Sequence, residues 1–237
     1  MAKVARIAAL VFLLLGCISV ARAQFLSGYI AGGTATESSA GPIDTLGGGT
    51  IYPRPSMGGL FETYGGDFIF FHGLGVGAEE SKRAELGDYA GLRYRASFLD
   101  ANVIYRPWIL KKRRFQPEIE AGYGRADMNV YVTPQICTTL PQGCPGPNAE
   151  IVSVSDGEFH VGAGARFYVY RGAFVRPQFD LRHVPNNFST YFASSWIPEY
   201  SVGVGYTLNL TKFLGWSEEV PSRVGGHLPH LPHLPWP

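Results

Sequence analysis

The chain of 237 residues carries 20 basic and 19 acidic side chains, and charged residues make up only 16% of it against 14% aromatics. An average soluble domain holds roughly 25% charged residues, and the near-balance of signs excludes a strongly basic nucleic-acid surface. No internal apolar run reaches the ~18 residues of a membrane helix.

The one long apolar run is N-terminal. Lys3 and Arg6 precede "IAALVFLLLGCISV", and "ARAQ" follows. A basic start, a short apolar core and an A-x-A site read as a secretory signal over residues 1–23, cleaved after Ala23. The segment "LLGC", Leu14 to Cys17, also resembles a lipoprotein cleavage box, but "ARAQ" is the better-formed site and fits the longer apolar core. Cleavage removes Lys3, Arg6, Arg22 and no acid, leaving 17 basic against 19 acidic residues. Cys17 leaves too. Cys137 and Cys144 remain as an even pair in an exported chain, and one disulfide is expected.

Beyond Gln24 eight extended segments follow in order: Phe25–Thr34, Met57–Tyr64, Gly73–Ser81, Tyr94–Arg106, Phe115–Val132, Glu158–Tyr170, Ala173–Val184 and Glu199–Leu210. The gaps between them alternate. Long ones rich in Gly, Pro, Ser and Asn, such as "PQICTTLPQGCPGPNAE", are separated by short links, "GGDFIFFH", "PWILKKRR" and "RG". Long loops at one end and short turns at the other describe an up-and-down transmembrane barrel. Thr36–Pro55, Ser81–Leu92, Thr133–Asp156 and Pro185–Pro198 are then expected outside, and Lys111–Arg114 in a periplasmic turn.

The side-chain phase agrees. In the last segment Tyr200, Val202, Val204, Tyr206 and Leu208 alternate with Ser201, Gly203, Gly205 and Thr207. Similarly, Phe159, Val161, Ala163 and Phe167 alternate with Glu158, His160, Gly162 and Arg166. These sets persist for about ten residues, the length of a tilted strand across the hydrocarbon layer. In the fifth segment Arg125, Asp127 and Asn129 enter the formerly apolar set, which predicts a bulge or a strand leaving the membrane. Pro177 requires a bulge or a locally unpaired position.

Lipid offers no partner to backbone N–H and C=O groups, so an all-strand span must close on itself. The polar set then faces inward. Its members include Glu79, Asp100, Arg106, Glu118, Glu120, Arg166, Arg176, Asp180 and Arg182, five acids and four bases. An eight-stranded barrel has an interior that side chains fill, and buried charges persist when paired. This mixture predicts a plug of salt bridges in preference to a water-filled channel.

"GEFHVGAGARFYVYRGAFVRPQFDLRHV" followed by "WIPEYSVGVGYTL" resembles the small bacterial outer-membrane β-barrel family of the OmpA/OmpX type. "SVGVGYTL" resembles that family's terminal signal for the barrel-assembly machinery, with Ser201, Gly203, Tyr206 and Leu208 in its positions. The chain departs from the pattern by running on for 27 residues, Thr211 to Pro237.

Other motifs were weighed against plainer readings. "GLGVGA" and "HVGAGA" contain G-x-G, but no helix follows, so neither reads as a nucleotide loop. His160 and His183 raise the possibility of a lipid hydrolase, yet Ser153, Ser155 and Ser189 fall in predicted loops, and no H-x-S motif occurs. They read as a packed lumen histidine and an interfacial one. "HLPHLPHLPWP" would align His227, His230 and His233 on one polyproline face, able to hold a metal weakly; a disordered tail is the simpler reading.

The expectation is an all-β, eight-stranded antiparallel up-and-down transmembrane barrel over residues 24–210, in the outer membrane of a diderm bacterium. A signal precedes it and a C-terminal extension, residues 211–237, follows. Its expected role is structural or interactional, through the outer loops toward an extracellular partner, as a monomer in outer-membrane lipid. No catalysis, cofactor, metal or nucleic acid is read. The alternatives are a lipid-modifying enzyme and a narrow pore or small-molecule carrier.

Overall fold

The computed structural model describes residues 25–37, 55, 57–89, 92–107, 114–134, 146, 148–185, 192 and 194–210. The signal, Cys17, Cys137, Cys144, Lys111, Ser189 and the histidine-rich tail lie outside the described residues. Among the described residues nine strands are present: β1 Phe25–Ala35, β2 Phe61–Phe71, β3 Leu74–Arg83, β4 Gly87–Tyr89, β5 Leu92–Tyr105, β6 Phe115–Tyr131, β7 Glu150–Tyr170, β8 Ala173–His183 and β9 Trp196–Asn209. Eight of them form a closed antiparallel barrel in the order β3-β2-β1-β9-β8-β7-β6-β5, with β3 paired back onto β5. The ninth, β4, is a short strand paired with the outer end of β5, Gly87 opposite Tyr94. The first and last strands zip together from Phe25 opposite Asn209 to Ala35 opposite Glu199.

Several strand limits differ from the sequence reading. β2 does not stop at Tyr64: it continues through "GGDFIFF" to Phe71, and the turn is only His72–Gly73. Both turn residues have positive φ, 45° and 91°, the conformation that matches the twist of a two-residue hairpin. β7 begins at Glu150, so Asp156, expected in a loop, lies in a strand opposite Ala126. β9 begins at Trp196.

Alternation failed in β6 for a physical reason, and no bulge is involved at Gly124. The register with β5 and β7 runs unbroken through Gly124, shifting only near Tyr131. Even-numbered residues point inward throughout. What reverses is their chemistry: Glu118 and Glu120 give way to Ala126, Met128 and Val130 inside, and Arg125, Asp127 and Asn129 face out. The strand has left the lipid. Below, a polar interior meets an apolar exterior; above, an apolar interior meets water. The upper interior packs Ala35, Met57, Phe61, Tyr94, Phe98, Met128, Val130, Val184, Phe192 and Ile197 into one cluster, with the Phe61 and Phe98 rings stacked 6.2 Å apart.

The outer surface carries the apolar band. Ile30, Val103, Ile119, Tyr123, Val161, Val169, Val202, Val204 and Tyr206 are all exposed, Tyr123 at 70%. Isolated exposed apolar side chains are ordinary, but a continuous belt around a closed barrel needs lipid. Pro177 keeps its place opposite Val202 on β9, while the ladder to β7 lapses between Gly164–Gln178 and Phe167–Val175 without a register shift. The proline thus sits at a locally unpaired point, which its missing N–H requires.

Truncating the upper cluster should be costly where truncating its water-facing neighbour is not. Met128→Ala should lose about 2–5 kcal/mol of stability, and Asn129→Ala should unfold with the parent. Equilibrium urea unfolding in lipid vesicles, followed by tryptophan fluorescence, measures both.

Candidate functional site

The membrane-level interior is a ladder of ion pairs. Among the described residues eight buried carboxylates, on Asp67, Glu79, Asp100, Glu118, Glu120, Glu158, Asp180 and Glu199, surround four buried guanidiniums, on Arg106, Arg166, Arg176 and Arg182. Alternation along each strand places them inward, and the small circumference brings opposite walls within reach.

At the short-turn end the backbone N–H of Arg106 donates to Gly73 O across 2.8 Å, fixing this residue just past β5. Its side chain bridges Asp67 (2.5 Å) on β2 and Glu118 (2.8 Å) on β6. Arg166 on β7 binds the same two carboxylates, with 2.9 Å to Glu118. Glu118 also accepts from Arg176 Nε, so three guanidiniums converge on one carboxylate. Arg176 continues upward to Glu120 (2.9 Å) and Glu79 (3.5 Å). Tyr29 on β1 donates its hydroxyl to Glu79 across 2.7 Å, while its ring lies under Arg176, 4.2 Å from the guanidinium carbon. That ring fits because residue 65 is glycine: a Cβ there would lie 2.3 Å from it.

The top rung is Arg182 on β8. It reaches four acids: Asp100 (2.5 Å), Glu199 (2.7 Å), Glu158 (2.9 Å) and Glu79 (3.4 Å). Ser81 donates to the same Glu199 at 2.6 Å. The Arg182 guanidinium also stacks 4.6 Å from the Phe98 ring, the floor of the apolar layer above. Arg166 and Arg182 are both 0% exposed.

All nine charged residues picked from the sequence face this interior and are buried. Asp180 differs from the expected role. It accepts from Gln178 Nε2 at 2.9 Å and has no arginine partner among the described residues. Asp67, Glu158 and Glu199 belong to the ladder and were not picked. Glu158 and Glu199 share the inward phase of their strands, so the phase alone could have found them. Asp67 was hidden by the wrong limit of β2.

His160 is buried inside the barrel, its Nδ1 3.7 Å from Asp100 and its Nε2 3.8 Å from Glu120. His183 sits on the outer side against Trp196 and Phe159, ring centroids 4.5 and 4.9 Å away. The hydroxyls of Ser153 and Ser155 bond to Asn129 and Asp127. No nucleophile–base pair is assembled from these residues. Of the terminal motif, Ser201 and Gly203 face in, and Tyr206 and Leu208 face lipid.

No protein-family model and no curated protein matches the sequence. Solved structures do match. Neisserial surface protein A superposes over 77% of this chain and 96% of its own at 13% identity, with a TM-score of 0.50. This chain has the fold of the small outer-membrane β-barrels. Other barrels of similar fold include OprG from Pseudomonas aeruginosa, at 11% identity over 79% of this chain and 97% of that one, TM-score 0.46. Ail of Yersinia pestis, solved with the heparin analogue sucrose octasulfate, covers 78% and 99% at 9% identity, TM-score 0.44. The apolar belt sets this barrel in lipid, with the apolar-cored cap beyond it.

Glu118 is the residue on which most of the ladder converges. Glu118→Gln removes the charge shared by three buried guanidiniums, and an unpaired buried charge typically costs ~3–5 kcal/mol. The variant should unfold at markedly lower denaturant than the parent in vesicles, whereas Glu150→Gln, at the exposed start of β7, should leave the midpoint unchanged.

Proposed function

We propose that the barrel is a sealed integral outer-membrane protein that works through its outward face, with no channel and no enzymatic role. The observation that carries this reading is the stacking of two dry interiors, one ionic and one apolar, joined where Arg182 lies on Phe98. An ion entering from the periplasm meets guanidiniums already bound to carboxylates at 2.5–2.9 Å. If it passed these, it would meet the Phe61–Phe98–Met128 layer, where an unpaired charge costs several kcal/mol. Interiors of this kind resist conduction, unlike the solvated charge rings of pores.

The rigid wall then serves as a mount. β6 and β7 extend beyond the lipid as a paired ribbon whose outer side carries Arg125, Asp127, Asn129, Ser153 and Ser155, and the long segments between strands open from the same end. In this reading a partner outside the cell meets that end, and the barrel acts as a monomer surrounded by lipid. Assembly uses β9, whose lipid-facing Tyr206 and Leu208 and inward Ser201 and Gly203 form the strand that closes against β1.

Planar-bilayer recording tests the sealed interior. The purified parent should show no steady conductance, and the lipids of a host expressing it should be chemically unaltered. Sustained single-channel currents would overturn the reading in favour of a pore, and altered lipid would favour an enzyme.

A further inference from the structure

Eight buried carboxylates share four guanidiniums among the described residues, and one acid has no arginine at all. Seven of the eight buried carboxylates lie within ion-pair distance of an arginine, and Asp180 does not. The register explains where its charge goes. Glu120 on β6 is opposite Gly162 on β7, and Gly162 is opposite Asp180 on β8. Because the middle residue has no side chain, the two carboxylates lean over it toward each other. A Cβ at Gly162 would lie 2.0 Å from Asp180 Oδ1 and 3.0 Å from Glu120 Cγ. One inward position along β7 is His160, 1% exposed, with neither ring nitrogen hydrogen-bonded. Its Nε2 points to this pair, 3.8 Å from Glu120 Oε1. The room for that edge is made by Gly122, where a Cβ would stand 3.0 Å from Nε2 and 2.3 Å from Asn102 Oδ1.

Buried polar atoms without a hydrogen-bond partner gather at the same place: Asn102 Oδ1, Gln178 Oε1 and the two ring nitrogens of His160. An acceptor-rich, donor-poor pocket in a dry interior calls for a cation. We propose that Glu120, His160 and Asp180 form a binding site for a first-row divalent transition-metal ion inside the barrel, with the Gln178 carboxamide as fourth ligand.

The ligand atoms of these three residues all lie within 4.8 Å of one another. Donors around one zinc ion, at ~2.0–2.2 Å from it, stand roughly 3.3–3.5 Å apart, so closing the site needs movements of under about 1 Å per side chain. Gln178 Nε2 bridges Glu120 Oε1 (2.5 Å) and Asp180 Oδ1 (2.9 Å); a turn of that amide presents Oε1 instead. Imidazole with carboxylates selects zinc, manganese, iron or nickel over calcium and magnesium, which take oxygen alone. The opposite side of His160 is a poorer choice. Asp100 and Glu158 there already share Arg182 Nη1 at 2.5 and 2.9 Å, whereas on the chosen side only Glu120 holds an arginine, Arg176, through Oε2, and its Oε1 faces His160.

The test uses the full mature chain, stripped with EDTA, in parent form and with His227, His230 and His233 changed to Ala so that the tail contributes nothing. After unfolding in urea, refolding into detergent with Zn2+ present so that the site is loaded before the barrel closes, and dialysis to remove free ion, elemental analysis of the tail-substituted protein should find one ion per chain. The zinc X-ray absorption edge should show one imidazole nitrogen among oxygen ligands, and thermal unfolding should shift upward with the ion. Asp180→Asn keeps the size and the bond from Gln178; it should weaken uptake about tenfold or more, while Glu158→Gln keeps it. Heat-dependent migration on gels verifies that each variant is folded. No zinc above background in the folded tail-substituted protein, or undiminished uptake in folded Asp180→Asn, would overturn the site. Should Asp180→Asn fail to fold, the stoichiometry and absorption spectrum of the tail-substituted protein decide alone.

Discussion

Closure of β3 onto β5 is the constraint from which the other features follow. In hydrocarbon every N–H and C=O must find a partner within the protein, and a sheet edge left open would expose a row of them. Eight strands are enough to close, and eight strands enclose a space that side chains fill. The interior is therefore dry by geometry. Any charge placed there must be answered by another within a few ångströms, because solvent cannot answer it. Arg106 and Arg166 reach Asp67, Arg176 reaches Glu79 and Arg182 reaches Asp100 across the barrel, joining strands that are not neighbours in the sheet. The ionic ladder thus braces the wall from inside.

The same cylinder meets two solvents along its axis and inverts its chemistry between them. In the lipid, valines, isoleucines and aromatics face out and charges face in. Beyond it, Met128, Val130, Phe61 and Phe98 turn in while Asp127 and Asn129 turn out. The backbone needs no change to achieve this, since pleat and register continue through Gly124. Arg182 couples the layers. Its guanidinium holds four carboxylates on its edge and rests on Phe98 with its face, so loosening the apolar cap frees the charged rung beneath.

Glycine at inward positions is as much a part of this interior as arginine. Gly65 admits the Tyr29 ring, and Gly162 lets two carboxylates approach across a missing side chain. The first completes a hydrogen bond to Glu79. The second creates a crowded acidic pocket beside an imidazole, where one of the carboxylates has no arginine partner among the described residues.

The sequence by itself determined the class of fold, the lipid-facing belt and the nine inward charges. All of these rest on a period of two, which the later strands carry in their own residues. It also separated long connections from short ones. It could not place the ends of β2 and β7, because "FETYGGDFIFF" is apolar on both faces and "EIVSVSDG" is polar on the face that meets water. Asp67 was lost for that reason, and the reversal in β6 looked like an irregularity because periodicity records contrast and not which solvent each face meets. Partners were decided only by tertiary structure. Arg176 and Asp180 are four residues apart on one strand, yet Arg176 binds Glu118 and Glu120 on β6 while Asp180 meets Glu120 over Gly162. Which charges touch depends on the stagger of strands around a closed wall, and that stagger is a property of the whole barrel and of no segment within it.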